Sequence, residues 1–245
     1  MQPADPTLFP VLDRRDAAPT LGTVVVTGAA SGLGAAVATA VAEAGGTPVA
    51  LDLNAPDADH DHEVVDLSDP AAARAAVERV IGRHGGVDAL VTAAGTDACG
   101  RLDEVEWDAW ARVIAVNLVG TAAVVRAALP SLRERRGRVI TVASTLGLRA
   151  LGDATAYCAS KFGVVGFTRA LAAETAGEVG VTMLVPGGMQ THFFDGRPDQ
   201  YKPGPDARLS PPEDVARAVL HALSMPPGVE LREMVVCPST ETSWP

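Results

Sequence analysis

The chain has 245 residues, of which 47% are hydrophobic, 20% charged and only 4% aromatic, a balance that excludes disordered and fibrous polymers and suits one large domain or two small ones. Its formal charge of −10 repels phosphate backbones and anionic bilayers, so nucleic acid and membrane surfaces are poor partners. The cysteines, Cys99, Cys158 and Cys237, are odd in number and form no CxxC pair, which argues against a disulfide framework or a structural zinc site and fits a reducing cytoplasm.

Residues 1–20 contain four prolines and no basic start before an apolar run, so they read as a flexible arm rather than a signal peptide. The uncharged stretch 17–42 is interrupted by Gly22, Gly28, Gly32 and Gly34, which suits a strand and a helix better than a membrane span. Strands are expected at 23–27, 47–52, 63–66, 87–92, 138–144, 179–185 and 234–237. Several, such as VVVTG, are apolar without alternation, as parallel strands covered on both faces are.

Between the strands, Leu33, Val37, Ala40, Val41 and Ala44 recur at helical spacing before a Gly45-Gly46 stop. A second helix opens at the Ser68-Asp69-Pro70 cap and runs to about His84. Helices follow at 104–135, where Pro130 bends or ends the run, at 155–176, and from Pro211-Pro212 to near Ser224. No linker or composition shift divides 21–245. The expectation is one doubly wound α/β domain of Rossmann type, a seven-stranded parallel sheet flanked by helices.

The segment T27-G-A-A-S-G-L-G34 falls where the first strand turns into the first helix. Residues without a Cβ allow backbone to approach a ligand there, and the helix N-terminus offers free N–H groups to a pyrophosphate. Asp52, eighteen residues after Gly34 and at the end of the next strand, can accept from both ribose hydroxyls of an adenosine and would repel a 2′-phosphate, favouring NAD over NADP. The polar run 57–63, DADHDHE, reads as a solvated loop rather than a metal site, and no metal is expected.

The fifth strand ends at Ser144, and thirteen residues later Tyr157 and Lys161 project from one face of a helix. A phenol near pKa 10 is a poor base at neutral pH; a cation a few Å away favours the phenolate. Lys161 is therefore expected to make Tyr157 usable as an acid/base.

With TGAASGLG, Asn117, Ser144, Tyr157-x-x-x-Lys161 and P186-G-G-M-Q-T191 in this order, the chain resembles the classical short-chain dehydrogenase/reductase family from Gly22 to about Pro238. The resemblance implies a nicotinamide cofactor, hydride exchange between an alcohol and a carbonyl, and a homodimer or homotetramer packed through the helices carrying Asn117 and Tyr157. It implies that Tyr157 moves the hydroxyl proton, that Ser144 hydrogen-bonds the substrate oxygen, and that Lys161 holds the nicotinamide ribose. Asn117 would hold a water that relays protons. Gly28, Ser31, Gly32, Leu33, Gly34, Asp52, Leu53, Asp66, Leu67, Ala93, Ala94, Gly95, Pro186, Gly187, Met189 and Thr191 would line the cofactor, with Asp66 at the adenine and Thr191 near the carboxamide. One departure is T92-A-A-G95 where the family usually has N-A-G, leaving a hydroxyl in place of an amide as the brace.

The segments 145–153 and 188–210 are expected to shape a substrate pocket. The second holds Phe193, Phe194 and Tyr201 beside Arg197, Lys202 and Arg208, which suits a ring or acyl chain bearing an anionic group. Asp97, Cys99 and Arg149 are further pocket candidates, and Cys158 is expected to be packed away from Tyr157. The reading is an NAD-dependent secondary-alcohol dehydrogenase or ketone reductase acting on a small molecule. The alternatives are an NADPH-dependent 3-oxoacyl-type reductase, opposed by Asp52 and the absence of a basic residue in 29–31, and a non-catalytic NAD sensor, opposed by the complete Asn117, Ser144, Tyr157, Lys161 set.

Overall fold

Val24, Val25 and Val26 run through β1 (Thr23–Thr27) without a polar break, and none is exposed, because helices cover both faces of the sheet. The computed structural model describes residues 21–242 and 244; the arm expected at 1–20 lies outside them. The chain continues through α1 (Gly32–Glu43), β2 (Thr47–Asp52), β3 (Asp61–Val64), α2 (Pro70–His84) and β4 (Ala89–Thr92). Next come α3 (Trp107–Ile114), a π-helical turn (Ala115–Gly120), α4 (Thr121–Arg135) and β5 (Arg138–Val142). It closes with α5 (Thr155–Glu174), β6 (Gly180–Pro186), α6 (Pro212–Leu223) and β7 (Glu233–Val236).

All seven strands are parallel, in the order β3-β2-β1-β4-β5-β6-β7. One face buries Leu33, Val37 and Val41 of α1 with Val215 and Val219 of α6; the other buries Val77 and Val80 of α2 with Val124 and Leu132 of α4. The chain leaves β1 for β2 and β3, then returns to β4 on the opposite side, so β1 and β4 flank a topological switch. The crevice for a ligand lies there, outside the carboxyl ends of the strands.

The Asp69-Pro70 cap forms as the sequence predicts: the Asp69 carboxylate accepts from the N–H groups of Ala71 and Ala72, and α2 stops at Gly85 in the left-handed region. Most other strand and helix ends move by one to three residues, and two regions differ in kind. β3 sits two residues earlier than expected, because its edge is held from outside: Asp61 accepts from Arg83 and His84, and Glu63 pairs with Arg79 and Arg83, all from α2. Asp66 therefore lies beyond the strand. The expected break at Pro130 falls elsewhere, since α4 runs through it to Arg135. Pro130 and Arg126, one turn back, are both exposed, so water reaches the carbonyl that the proline leaves free. The irregularity is the π turn at 115–120, which carries Asn117. By length and composition Trp107–Arg135 is apolar enough to cross a membrane, yet Val113, Val124, Val125, Ala128 and Leu132 bury against the rest of the molecule.

Candidate active site

The turn after β1 requires glycine twice. Gly28 has φ +69°, and a Cβ there would stand 2.7 Å from Ala94 N; a Cβ on Gly34 would collide with the Gly28 carbonyl. The first contact brings the turn against the loop after β4, and the second folds the start of α1 onto the turn itself. No side chain caps α1, and its first turn holds no acid, so its terminal N–H groups and dipole are available to an anion. A dinucleotide pyrophosphate fits this cradle.

Asp52 closes β2 beside it, accepting from Ala30 N at 2.9 Å and Asn54 N at 3.0 Å. The Ser68 N–H and hydroxyl, and then Arg112 at 3.1 Å, hold the Asp66 carboxyl below the usual carboxylate range. Leu67 is buried, whereas Leu53 is exposed at the crevice rim. Thr191 packs against Gly32, so the segment after β6 crosses the cleft and meets the glycine loop.

Ser144 follows β5, and its Oγ accepts from Leu146 N at 3.1 Å. Tyr157 and Lys161 share a face of α5, with the ammonium 5.6 Å from the centre of the phenol ring. Lys161 is 4% exposed and donates to the Val142 carbonyl at 2.8 Å. Burial lowers its pKa to about 8. Burial pushes the Tyr157 phenol up to about 12; a hydrogen bond with Ser144 works downward, Asp97 raises it and Arg197 lowers it. Desolvation of the phenolate dominates, and Lys161, from which the sequence leads one to expect the lowering, is not among the main groups acting on it.

Asn117 is 1% exposed and sits behind the cleft. Its Oδ1 accepts from Thr96 N at 2.8 Å, and its Nδ2 donates to Thr96 O at 2.9 Å and Ser160 Oγ at 3.0 Å. Both amide hydrogens are engaged and the amide oxygen accepts once, so the side chain braces the loop after β4 against α5. Ser144, Tyr157, Lys161 and the residues expected to hold the cofactor, from Gly28 to Thr191, line one cleft of about 1440 Å³, whereas the pocket candidate Arg149 lies outside it and donates to the Thr242 carbonyl.

A model of the short chain dehydrogenase family matches residues 22–202. This chain belongs to the classical short-chain dehydrogenase/reductase family. Among its relatives, D-threitol dehydrogenase of Mycolicibacterium smegmatis is 36% identical over 82% of this chain and 85% of that protein. A 3-oxoacyl-[acyl-carrier-protein] reductase of Thermotoga maritima is 31% identical over 82% of this chain and 89% of its own. Among solved structures, an alcohol dehydrogenase from the archaeon Thermococcus sibiricus complexed with 5-hydroxy-NADP superposes with a TM-score of 0.78 at 25% identity, covering 88% of this chain and 95% of that one.

Within this short-chain dehydrogenase, two features escaped the sequence. Glu241, beyond β7, accepts from Gly188 N at 3.1 Å and lies against Gly187, folding the C-terminal segment over the turn after β6; no motif marks it. The expected cationic lip is also altered: Arg197 pairs with Asp97 at 2.6 Å and Lys202 with Asp199 at 2.8 Å. Cys158 is buried, as expected.

The T92-A-A-G95 departure has a structural answer. Thr27 Oγ1, not Thr92, braces the loop by accepting from Ala94 N at 3.1 Å. The Thr92 hydroxyl is buried and has no hydrogen-bond partner among the described residues. Thr92→Val should therefore raise stability by about 1 kcal/mol in urea unfolding, since it removes an unsatisfied buried group and keeps the shape. A loss of similar size would show that the hydroxyl is in use.

Proposed function

We propose that this protein interconverts a secondary alcohol and a ketone by hydride exchange with NAD(H), with Tyr157 as the acid/base. The observation that carries the reading is the convergence of Ser144, Tyr157 and Lys161 in the cleft that also holds the uncapped N-terminus of α1 and Asp52. The relatives named for D-threitol and for a 3-oxoacyl group support a hydroxyl or carbonyl carbon as the reacting centre.

In the oxidative direction, the substrate hydroxyl passes its proton to the Tyr157 phenolate as its carbon loses a hydride. A bound nicotinamide would supply the hydride acceptor and, in its oxidised form, a positive charge. Ser144 donates to the substrate oxygen and so steadies the charge developing there. Lys161 holds the ribose and adds positive charge one helical turn from Tyr157. Asn117 positions: it ties Thr96 to Ser160 and so sets the distance between the loop after β4 and the helix carrying the acid/base.

The preference for NAD rests on Asp52, whose carboxylate the N–H groups of Ala30 and Asn54 hold at the end of β2. A 2′-phosphate would meet a fixed negative charge, with no basic residue at 29–31 to offset it. Titration followed by nicotinamide fluorescence should show NADH binding at least about tenfold more tightly than NADPH, a difference of 1.4 kcal/mol. Asp52→Ser should bring the two to parity. A wild-type preference for NADPH would overturn the assignment.

A further inference from the structure

Arg197 is placed as a recognition group. Its guanidinium stacks on the rings of Phe193 and Phe194, at 4.9 and 4.6 Å from their centres, and Phe193 lies 5.6 Å from the Tyr157 ring. Nη2 donates to Asp97 Oδ2 at 2.6 Å, and Nη1 donates to the Tyr201 carbonyl at 3.3 Å. The two side chains of the ion pair are 17% and 6% exposed, and both residues line the cleft. Arg197 Nε is buried and donates to nothing among the described residues. Phe193 thus links the guanidinium to the Tyr157 ring, and Asp97, Arg197 and Tyr157 line the same cleft.

A buried donor without an acceptor is unfavourable and is satisfied when a ligand supplies one. The pair is neutral as a whole, so an anionic substrate would have to compete with Asp97 for the guanidinium. A hydroxyl accepts and donates at once: it can take the Nε–H and give its proton to Asp97 Oδ1. Among the described residues that oxygen accepts only from Ala98 N and keeps a lone pair, whereas Oδ2 is taken by Arg197 and Cys99 Sγ. The aromatic rings exclude water from this exchange and strengthen it.

Resting on the oxidoreductase reading above, we propose that the Asp97–Arg197 pair recognises a second, neutral hydroxyl close to the reacting carbon. The substrates are then short hydroxyketones and the polyols they form. Asp97 and Arg197 are specificity-determining residues, and the proton and hydride steps stay with Tyr157 and the cofactor.

Acetoin and butanone differ by one hydroxyl next to the carbonyl and separate this proposal from a merely structural role. With NADH or NADPH in excess, wild type should reduce acetoin with kcat/KM at least about tenfold above butanone, the loss expected when a hydrogen bond to a charged group goes unmade. Arg197→Met and Asp97→Leu should each collapse that ratio towards one, chiefly through KM for acetoin. The double variant replaces the pair by apolar groups of similar size and should do the same with its thermal unfolding retained. Equal losses on both ketones, with the ratio intact, would make the pair a structural latch and overturn the proposal. A wild-type ratio near one, or a preference for acetoacetate over acetoin, would overturn it without any variant. No reduction of any ketone with either cofactor would instead sink the oxidoreductase reading, and the recognition role with it.

Discussion

Tyr157→Phe is expected to lower kcat/KM for ketone reduction by about a thousandfold while leaving nicotinamide binding within about threefold of wild type. General acid/base catalysis by a placed side chain contributes about a hundredfold to ten-thousandfold, and the phenol oxygen is the group assigned here to transfer the proton. The ring should stay in place, because its contact with Phe193, at 5.6 Å between ring centres, needs no hydroxyl. Loss of turnover with binding retained therefore isolates the chemistry. Retention of turnover within about tenfold would remove Tyr157 from the role of acid/base, and a wild type that binds NADH without turning over any alcohol or ketone would favour the sensor reading.

The phenol's own environment makes this a demanding assignment. Half-buried in the cleft, Tyr157 is pushed up to about 12, chiefly by desolvation, so the neutral form dominates at pH 7. That state is suited to giving a proton to a developing alkoxide, which is the reductive direction. Oxidation needs the phenolate and depends on the positive charge of Lys161, Arg197 and the oxidised nicotinamide to reach it. Oxidative turnover should accordingly rise with pH only until Lys161 loses its charge near 8, whereas reduction should not rise.

The parts of this architecture set by local chemistry were legible from the residues. A run of valines covered on both faces, an Asp-Pro cap and a Tyr and Lys four apart each carry their own instruction, and β1, α2 and the α5 pair stand where those instructions put them. The parts set by distant partners were not. Asp61 looks like a loop residue, and Glu63 like the first of a strand, until α2 brings Arg79 and Arg83 across to them. Arg197 looks like a free cation until Asp97, 100 residues earlier, neutralises it. Nothing in the spacing of Asn117 announces a π turn, because the widened helix answers to what its amide must reach, Thr96 and Ser160, not to the residues around it.

Lys161 gives the second large effect, and it runs in opposite directions for activity and stability. The ammonium is 4% exposed, and its pKa falls from 10.5 to about 8 on folding because burial penalises the charge. Between those values the unfolded chain binds more protons than the folded one, so this group's contribution to stability rises with pH across the window from about 8 to 10.5. Below it both states are protonated and the whole penalty is felt, about 3 kcal/mol at 1.36 kcal/mol per pKa unit. Lys161→Met removes the charge and keeps the stem, but leaves the Val142 carbonyl without its donor, a loss of about 1 kcal/mol. The variant should therefore be about 2 kcal/mol more stable than wild type in urea unfolding at pH 7, and that advantage should vanish or reverse by pH 10.5. Tyr157, raised on folding, weakens both proteins alike above pH 10 and cancels in the difference. Ketone reduction should fall at least about a hundredfold in the same variant, the trade expected where an active site holds a destabilising charge because its chemistry needs one. If Lys161→Met is instead the less stable protein at pH 7, the ammonium is a structural strut for β5, and its place in the proton chemistry loses its physical basis.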